Sequence, residues 1–331
     1  MIGWYVHHQG AGHLHRMLTV TSRLDEEVTV LSSLPRAPGT PHRWLQLERD
    51  DLGDLTAERD VTAHGRLHWV PRGDKGLAER HAQVAAWVAV ARPRLVVVDV
   101  SVEIALQLRL SGVPVVLMAL PGERTDPAHT LAHDLAEALV AAWPAGLPSN
   151  WPPGWLERTT HVGALSRFDG RAPDGERRPG TAYLLWGSGG ERSREELLAG
   201  LSAAVPDREW IGTEPTSDPD EVWHHLSTAE VVLTHAGQNA VAEVAAARAP
   251  AVVVADPRPF GEQDHTVQRL GLLDVALPLP AWPAPERWPG LLDEAVSRGG
   301  ESWSRWHDGA GAERFAALLR EVLDRLAGSG S

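Results

Sequence analysis

The sequence has no cysteine. A disulfide framework, a thiolate metal site and a cysteine nucleophile are thereby excluded. It has one lysine, Lys75, and no apolar run near the roughly 18 residues of a membrane-spanning helix. The first residues lack the basic stretch and apolar core of a secretory leader, so the sequence predicts a cytoplasmic chain. Positive charge is also short: 31 Lys plus Arg stand against 44 Asp plus Glu, a net charge of −13. The deficit is uneven, with 15 basic against 18 acidic residues in 1–160 and 16 against 26 in 161–331. Such a balance argues against a nucleic-acid backbone as partner. It leaves room for a small anion, because focused backbone dipoles bind a diphosphate inside an acidic protein.

At 331 residues with 43% hydrophobic content, the chain reads as a globular protein of two domains. The 14 tryptophans keep peripheral membrane contact open. From Val231 to Leu272 the pattern is the most informative. An apolar run at 231–233 breaks at Thr234-His235-Ala236-Gly237, and a helical pattern starts near Gln238. A second run at 251–254 stops at Asp256-Pro257, and another helical pattern begins near Asp264. That is strand, tight turn, helix, strand, loop, helix. A turn of this kind aims free N–H groups and the positive end of a helix at an anion above the strand ends. Glu243 lies four residues after Asn239, opposite the stripe of Val241, Val244 and Ala245. A carboxylate there either accepts hydrogen bonds from a vicinal diol or is merely solvated. The cluster Glu262, Gln263, Asp264 and His265 carries donors and acceptors suited to sugar hydroxyls.

The start of the chain repeats the pattern: a strand at 2–6 runs into His7-His8-Gln9-Gly10-Ala11-Gly12-His13 and then a helical pattern. A dinucleotide fingerprint would need a third glycine where His15 stands. An imidazole on such a turn titrates near neutrality and suits proton abstraction. Leu95 to Asp99 reads as a buried strand that delivers a carboxylate to the sheet edge, unless Asp99 caps the helix near Val102. Val113 to Leu120 is the next strand, and His161 to Leu165 reads as the last of the first half. Ala182 to Trp186 ends in Gly187-Ser188-Gly189-Gly190, without the Gly-Lys-Ser/Thr of a Walker loop. Asp126, His129 and His133, at i, i+3 and i+7, could place metal ligands on one helix face. Asp126-Pro127 also reads as an N-cap followed by proline at N1. Asp218-Pro219-Asp220 spells a metal-binding acidic triplet, but Asp218, Pro219 and Glu221 fit N-cap, N1 and N3 of a helix better.

The order His235 to Asn239, Glu243, Pro250 and Glu262-Gln263 ahead of Gln268 resembles the donor-binding segment of GT-B glycosyltransferases. The similar groups are the family 28-like N-acetylglucosaminyltransferase of lipid II synthesis and the UDP-glycosyltransferases. Gly10-Ala11-Gly12-His13 resembles the N-terminal loop of the same enzymes. The resemblance implies an α/β fold of two Rossmann-like domains facing across a cleft. The acceptor-binding domain would be 1–165, the linker 166–180, the nucleotide-sugar domain 181–305, and 306–331 a helix crossing back to the first domain with a tail. It implies donor contacts from Gly12, Gly187, Ser188, Gly189, His235, Ala236, Gly237, Gln238 and Asn239, with Glu243 on the ribose. For the donor sugar, matching by residue type selects Glu262 and Gln263, whereas counting back from Gln268 selects Asp264 and His265. His13 would be the base, oriented by Asp99, and Arg124, Asp126 and His129 would border the acceptor. The implied reaction is an inverting transfer without metal or cofactor, from a UDP- or dTDP-sugar to a hydroxyl of a small-molecule, lipid-linked or cell-envelope acceptor. Two alternatives stand beside it: an epimerase or hydrolase of the same fold, and a non-catalytic sugar-nucleotide-binding subunit that would make no use of His13 or Asp99.

Overall fold

A computed structural model describes residues 1–9, 12–51, 59–187, 192–213 and 217–328. Seven parallel strands form the first sheet: β1 (Ile2–Val6), β2 (Val28–Ser32), β3 (Arg43–Gln46), β4 (Val96–Asp99), β5 (Val115–Ala119), β6 (Ala138–Ala141) and β7 (Thr159–His161). Their order is β3-β2-β1-β4-β5-β6-β7. The crossovers carry α1 (Gly12–Thr21), α2 (Lys75–Ala91), α3 (Val102–Leu110), α4 (Pro127–Leu135) and α5 (Pro153–Glu157). β1, β4 and β5 are buried along their whole length, which is why they read as unbroken apolar runs. The strand order reverses between β1 and β4, and there the loops after both strands leave in opposite directions and open a crevice.

The second sheet has five parallel strands in the order β12-β11-β10-β8-β9. They are β8 (Arg178–Leu185), β9 (Glu209–Gly212), β10 (Ala229–His235), β11 (Ala251–Val254) and β12 (Leu277–Leu279), wrapped by α6 (Arg194–Ala204), α7 (Pro219–Thr228), α8 (Gln238–Ala246), α9 (Glu262–Leu273) and α10 (Trp288–Arg298). Its reversal falls between β8 and β10. The last helix, α11 (Gly311–Gly328), leaves this half and packs on the first. Phe315, Leu319, Val322 and Leu323 join Trp4, Val6 and Met17 in one apolar cluster, with the Trp4 and Phe315 rings 5.4 Å apart.

Residues 162–177 join the halves without hanging free. Phe168 is buried against Trp223, and Arg177 donates to the carbonyls of Leu226, Ala229, Ala247 and Arg248. The last strand of the first half differs from the sequence expectation of 161–165. It ends at His161, because the Val162 carbonyl is taken by Arg314 of α11, at 2.9 Å from Nε, instead of a ladder partner. β6 and β9 escaped the sequence reading: one is four residues of Ala, Leu and Val following a helix, the other a half-exposed edge strand. β8 starts inside the expected linker, at Arg178. Among the described residues, no helix is long and apolar enough to cross a membrane.

Candidate active site

The C-terminal ends of the two sheets face each other across a cleft of about 900 Å³, lined from one side by Gly12, His13, Arg16 and Arg124 and from the other by Gly187, His235, Gly237, Glu243 and Glu262. The two walls touch. A Cβ on Gly12 would stand 1.9 Å from the Asn239 amide nitrogen, so any larger residue there must displace the Asn239 side chain. Arg16 Nη1 donates to the Gln238 side chain at 3.3 Å.

On the first wall, α1 places His13 directly above the reversal between β1 and β4, and β4 ends in Asp99. His13 Nδ1 lies 3.0 Å from Asp99 Oδ1. Asp99 is fully buried, and Arg16 Nε stands 3.5 Å from its other oxygen, close enough for an ion pair though not aligned as a hydrogen bond. Burial alone would raise the Asp99 carboxyl; Arg16 and His13 outweigh it and hold the group below the usual carboxylate range. A carboxylate on Nδ1 fixes the imidazole proton there and leaves Nε2 as the proton acceptor. Asp99 is free for this because Ser101 caps α3, accepting from the Ile104 N–H. The residue between them, Val100, is held at φ +65°. A β-branched side chain in the left-handed region costs about 1–3 kcal/mol, and such outliers concentrate at functional sites.

On the second wall, α8 begins at Gln238 with Gly237 as N-cap and no side-chain cap, so its first N–H groups are available to an anion. The Gly237 N–H donates to His235 Nδ1 at 3.0 Å. Burial, with Arg258 nearby, pushes His235 down to about 4, which keeps the ring neutral and its proton on Nε2. That nitrogen faces Gly187, where a Cβ would be 3.5 Å away. Ser188 and Gly189 lie outside the described residues. Ala236 is fully buried beneath the turn. Its N–H and that of Asp256 both donate to Gln263 Oε1, at 2.9 and 3.0 Å, so Gln263 braces two strand-end loops while lining the cleft.

Glu243 is 7% exposed rather than solvated. Arg167, from the segment joining the halves, stands with Nε 2.9 Å from Oε1. Burial still raises the Glu243 carboxyl above its ordinary value, against the pull of Arg167. Glu262 is raised in the same way by burial, opposed by Arg124 and Arg16.

Behind His13, a smaller cavity of about 210 Å³ enters the first domain between Tyr5, Trp69, Ile104, Leu117 and His133. His68, Val100, Arg124 and His129 line both spaces and form the passage between them. Asp126 caps α4 and joins two imidazoles, with His68 Nε2 at 3.0 Å and His129 Nδ1 at 2.5 Å. These three groups bring ligand atoms within 4.8 Å of one another. Their hydrogen bonds assign them otherwise. A guanidinium cannot accept, so Arg124 Nη1 donates to His129 Nε2 at 3.3 Å, and the His129 proton is directed from Nδ1 to Asp126. A metal at Nδ1 would have to displace that proton with a cation close behind. His133 takes no part: it turns toward Trp155, 4.6 Å between rings, and does not join Asp126 and His129 as a third ligand. Arg124 also reaches across the cleft to Glu262 Oε2 at 3.5 Å and carries the Phe260 ring on its guanidinium at 4.8 Å.

Residues 219–280 match the glycosyltransferase family 28 C-terminal domain. No match is found among curated proteins. Among solved structures, the chain is similar to the glycotransferase of kitacinnamycin, at TM-score 0.67 and 18% identity over 97% of this chain and 98% of that one. It is similar to MurG of Acinetobacter baumannii at 0.62 and 15%, covering 97% and 99%. It is similar to the calicheamicin glycosyltransferase CalG4 at 0.63 and 16%, covering 98% of this chain and 99% of that one. The chain has the GT-B fold, and its residues 219–280 match the family 28 C-terminal domain.

Within this GT-B frame, the sequence expectations sort as follows. Gly12, His13, Gly187, His235, Gly237, Gln238, Asn239, Glu243, Glu262 and Gln263 share one cleft, and Asp99 stands behind His13. Of the two placements for the donor-sugar pair, Glu262 and Gln263 line the cleft. Asp264 is exposed and His265 stands 3.3 Å from Glu123, and neither is among the residues that line the cleft. Of the acceptor set, Arg124 and His129 line the passage, and Asp126 lies behind them as a cap. The triplet Asp218-Pro219-Asp220 starts α7, with Asp218 accepting from the Asp220 N–H at 2.8 Å. Sequence reasoning missed Arg16, His68, Arg167 and Phe260. Arg16 had a signal, three residues after His13 on the same helix face. Arg167 and Phe260 sit in loops whose partners are 76 and about 136 residues away, and no local pattern marks them.

Proposed function

We propose that the protein transfers a sugar from a nucleoside diphosphate sugar to an acceptor hydroxyl, with inversion and without a metal ion. The observation that supports this reading is the His13–Asp99 pair opening onto the same cleft as the uncapped N-terminus of α8. An acceptor held in the 210 Å³ cavity would pass its hydroxyl between His68, Val100, Arg124 and His129 into the cleft that His13 lines. His13 takes the proton as the oxygen attacks the anomeric carbon, Asp99 stabilises the imidazolium that forms, and the carbon–diphosphate bond breaks on the opposite face. A single displacement of this kind inverts the anomeric centre. Charge growing on the leaving diphosphate is met by the α8 N–H groups and by His235 Nε2–H, as preorganised electrostatic stabilisation. Glu243 takes the ribose and Glu262 with Gln263 the donor sugar.

Thermal-shift screening against a panel of nucleotide sugars tests the donor reading, since selective binding raises the melting temperature by mass action. Turnover with candidate acceptors then separates transfer from hydrolysis or epimerisation. A chain that binds nucleotide sugars, yet whose turnover is unchanged in His13→Ala, would not use this mechanism.

A further inference from the structure

The carboxylate that faces the ribose in the proposed reading is already occupied by the protein itself. Arg167 approaches Glu243 with two nitrogens, Nε 2.9 Å from Oε1 and Nη2 3.4 Å from Oε2. The guanidinium also lies over the Phe168 ring, 4.7 Å from its centroid, and Phe168 is itself buried. The fork is therefore held from behind. Both residues line the cleft, and Glu243 has little free edge at 7% exposure. Glu243 stands five residues into α8, about 7.5 Å along its axis from the uncapped N-terminus. A nucleoside lying along the helix with its diphosphate at that end brings its sugar to this carboxylate.

We infer that the site does not select for a ribose 2′-hydroxyl, and that it takes 2′-deoxyribonucleoside diphosphate donors as readily as ribonucleoside ones, because Arg167 satisfies Glu243 before the nucleotide arrives. An ionised carboxylate offers about four acceptor positions on its two oxygens. Arg167 Nη2 donates to Oε2 at 3.4 Å, and Nε pairs with Oε1 at 2.9 Å as an ion pair not aligned as a hydrogen bond; the 3′-hydroxyl, present in both nucleotide classes, needs only one of the remaining positions. A site rejects an analogue lacking a hydroxyl by as much as roughly 10⁴–10⁵-fold when the missing group leaves a buried polar atom unpaired. Here its loss leaves no unpaired charge, since Glu243 keeps its ion pair with Arg167 and the Nη2 hydrogen bond on Oε2.

The inference rests on the reading of the cleft as a nucleotide-sugar site with the ribose at Glu243. Titration calorimetry of the whole chain with UDP and dUDP, which differ only at that hydroxyl, tests it. In the wild-type chain the two dissociation constants are expected within about threefold, well below the discrimination of a hydroxyl-reading site. In Arg167→Gln the freed carboxylate gains from the 2′-hydroxyl, and UDP should lead by about tenfold or more. Arg167→Lys, which keeps the charge but loses the planar guanidinium that Phe168 holds in place, should fall between. A wild-type preference for UDP of about tenfold or more overturns the inference, as does a ratio that stays near one in Arg167→Gln with Glu243 intact. Binding of neither nucleotide overturns the reading of the cleft instead, which is a separate failure.

Discussion

At the level of single residues, the proposed base and the buried imidazole of the inner cavity sit in different surroundings. In the proposed mechanism His13 takes the proton: its Nδ1 is tied to Asp99 at 3.0 Å and its side chain is 19% exposed at the cleft. Removing a positioned base typically costs about 10²–10⁴-fold in rate. His13→Ala should show a loss of that size in steady-state turnover, with nucleotide affinity by calorimetry unchanged. Asp99→Asn should lose about as much, because with its oxygen turned to Arg16 the amide donates to Nδ1 and leaves the ring proton on Nε2, where no base remains. His133 is the buried imidazole. It is 4% exposed among Trp151 and Trp155, and burial, with His129 and Arg124 nearby, pushes it down to about 3. The unfolded chain protonates this ring below its ordinary value of 6.5, while the folded chain resists down to about 3. Its contribution to stability is therefore complete above that upper value and is lost as the pH falls through the window between them. By pH 5 the loss is about 2 kcal/mol for this residue alone. His133→Phe should flatten the fall in melting temperature between pH 7.5 and 5; an equal fall in both chains would mean that the ring is not neutral in the folded state.

At the level of elements, the loop before α9 fastens one half to the other. Phe260 sits at φ +63°, its carbonyl accepts from the Glu123 N–H at 2.8 Å, and its ring packs on His129 at 4.8 Å. Gly122 lies under that contact at φ +108°, where a Cβ would meet the Phe260 carbonyl at 2.4 Å. Gly146 is at φ +79° with nothing within 4 Å. Gly122→Ala and Gly146→Ala thus share the backbone strain, and only the first also pushes the halves apart. Gly122→Ala should weaken nucleotide binding several-fold and lower the melting temperature more, by about 2–4 °C for each further kcal/mol. Equal effects of the two changes would remove the loop from the closure of the cleft. The strands at 2–6, 96–99 and 251–254 were legible because burial on both faces demands continuous apolar residues. The Gly12-His13 and Gly237 turns were legible because strand-to-helix turns at a sheet edge need small residues and leave donors free. The pairing of Arg167 with Glu243 was not, since nothing local to either residue encodes a contact across 76 positions. The choice between Glu262 with Gln263 and Asp264 with His265 was not either, because it depends on where α9 starts, and boundaries are the least determined part of a sequence pattern.

At the level of the whole molecule, the chain closes on itself. α11 follows the second sheet in sequence and belongs to the first in packing, with Phe315, Leu318, Leu319, Val322 and Leu323 buried against it. At about 2 kcal/mol for each buried side chain, these five contribute on the order of 10 kcal/mol. That is comparable with the net stability of an entire domain. Deleting residues 311–331 should therefore abolish the cooperative unfolding transition of the first half rather than shift it, as read by calorimetry. A truncated chain that melts like the intact one would show that α11 is an accessory. The arrangement also sets an order of events during synthesis. One apolar face of β1, with Trp4 and Val6, is made first and covered last, when α11 emerges. Until then the opening strands must wait, exposed or held by a chaperone, so the first domain can mature only after the ribosome has finished the second.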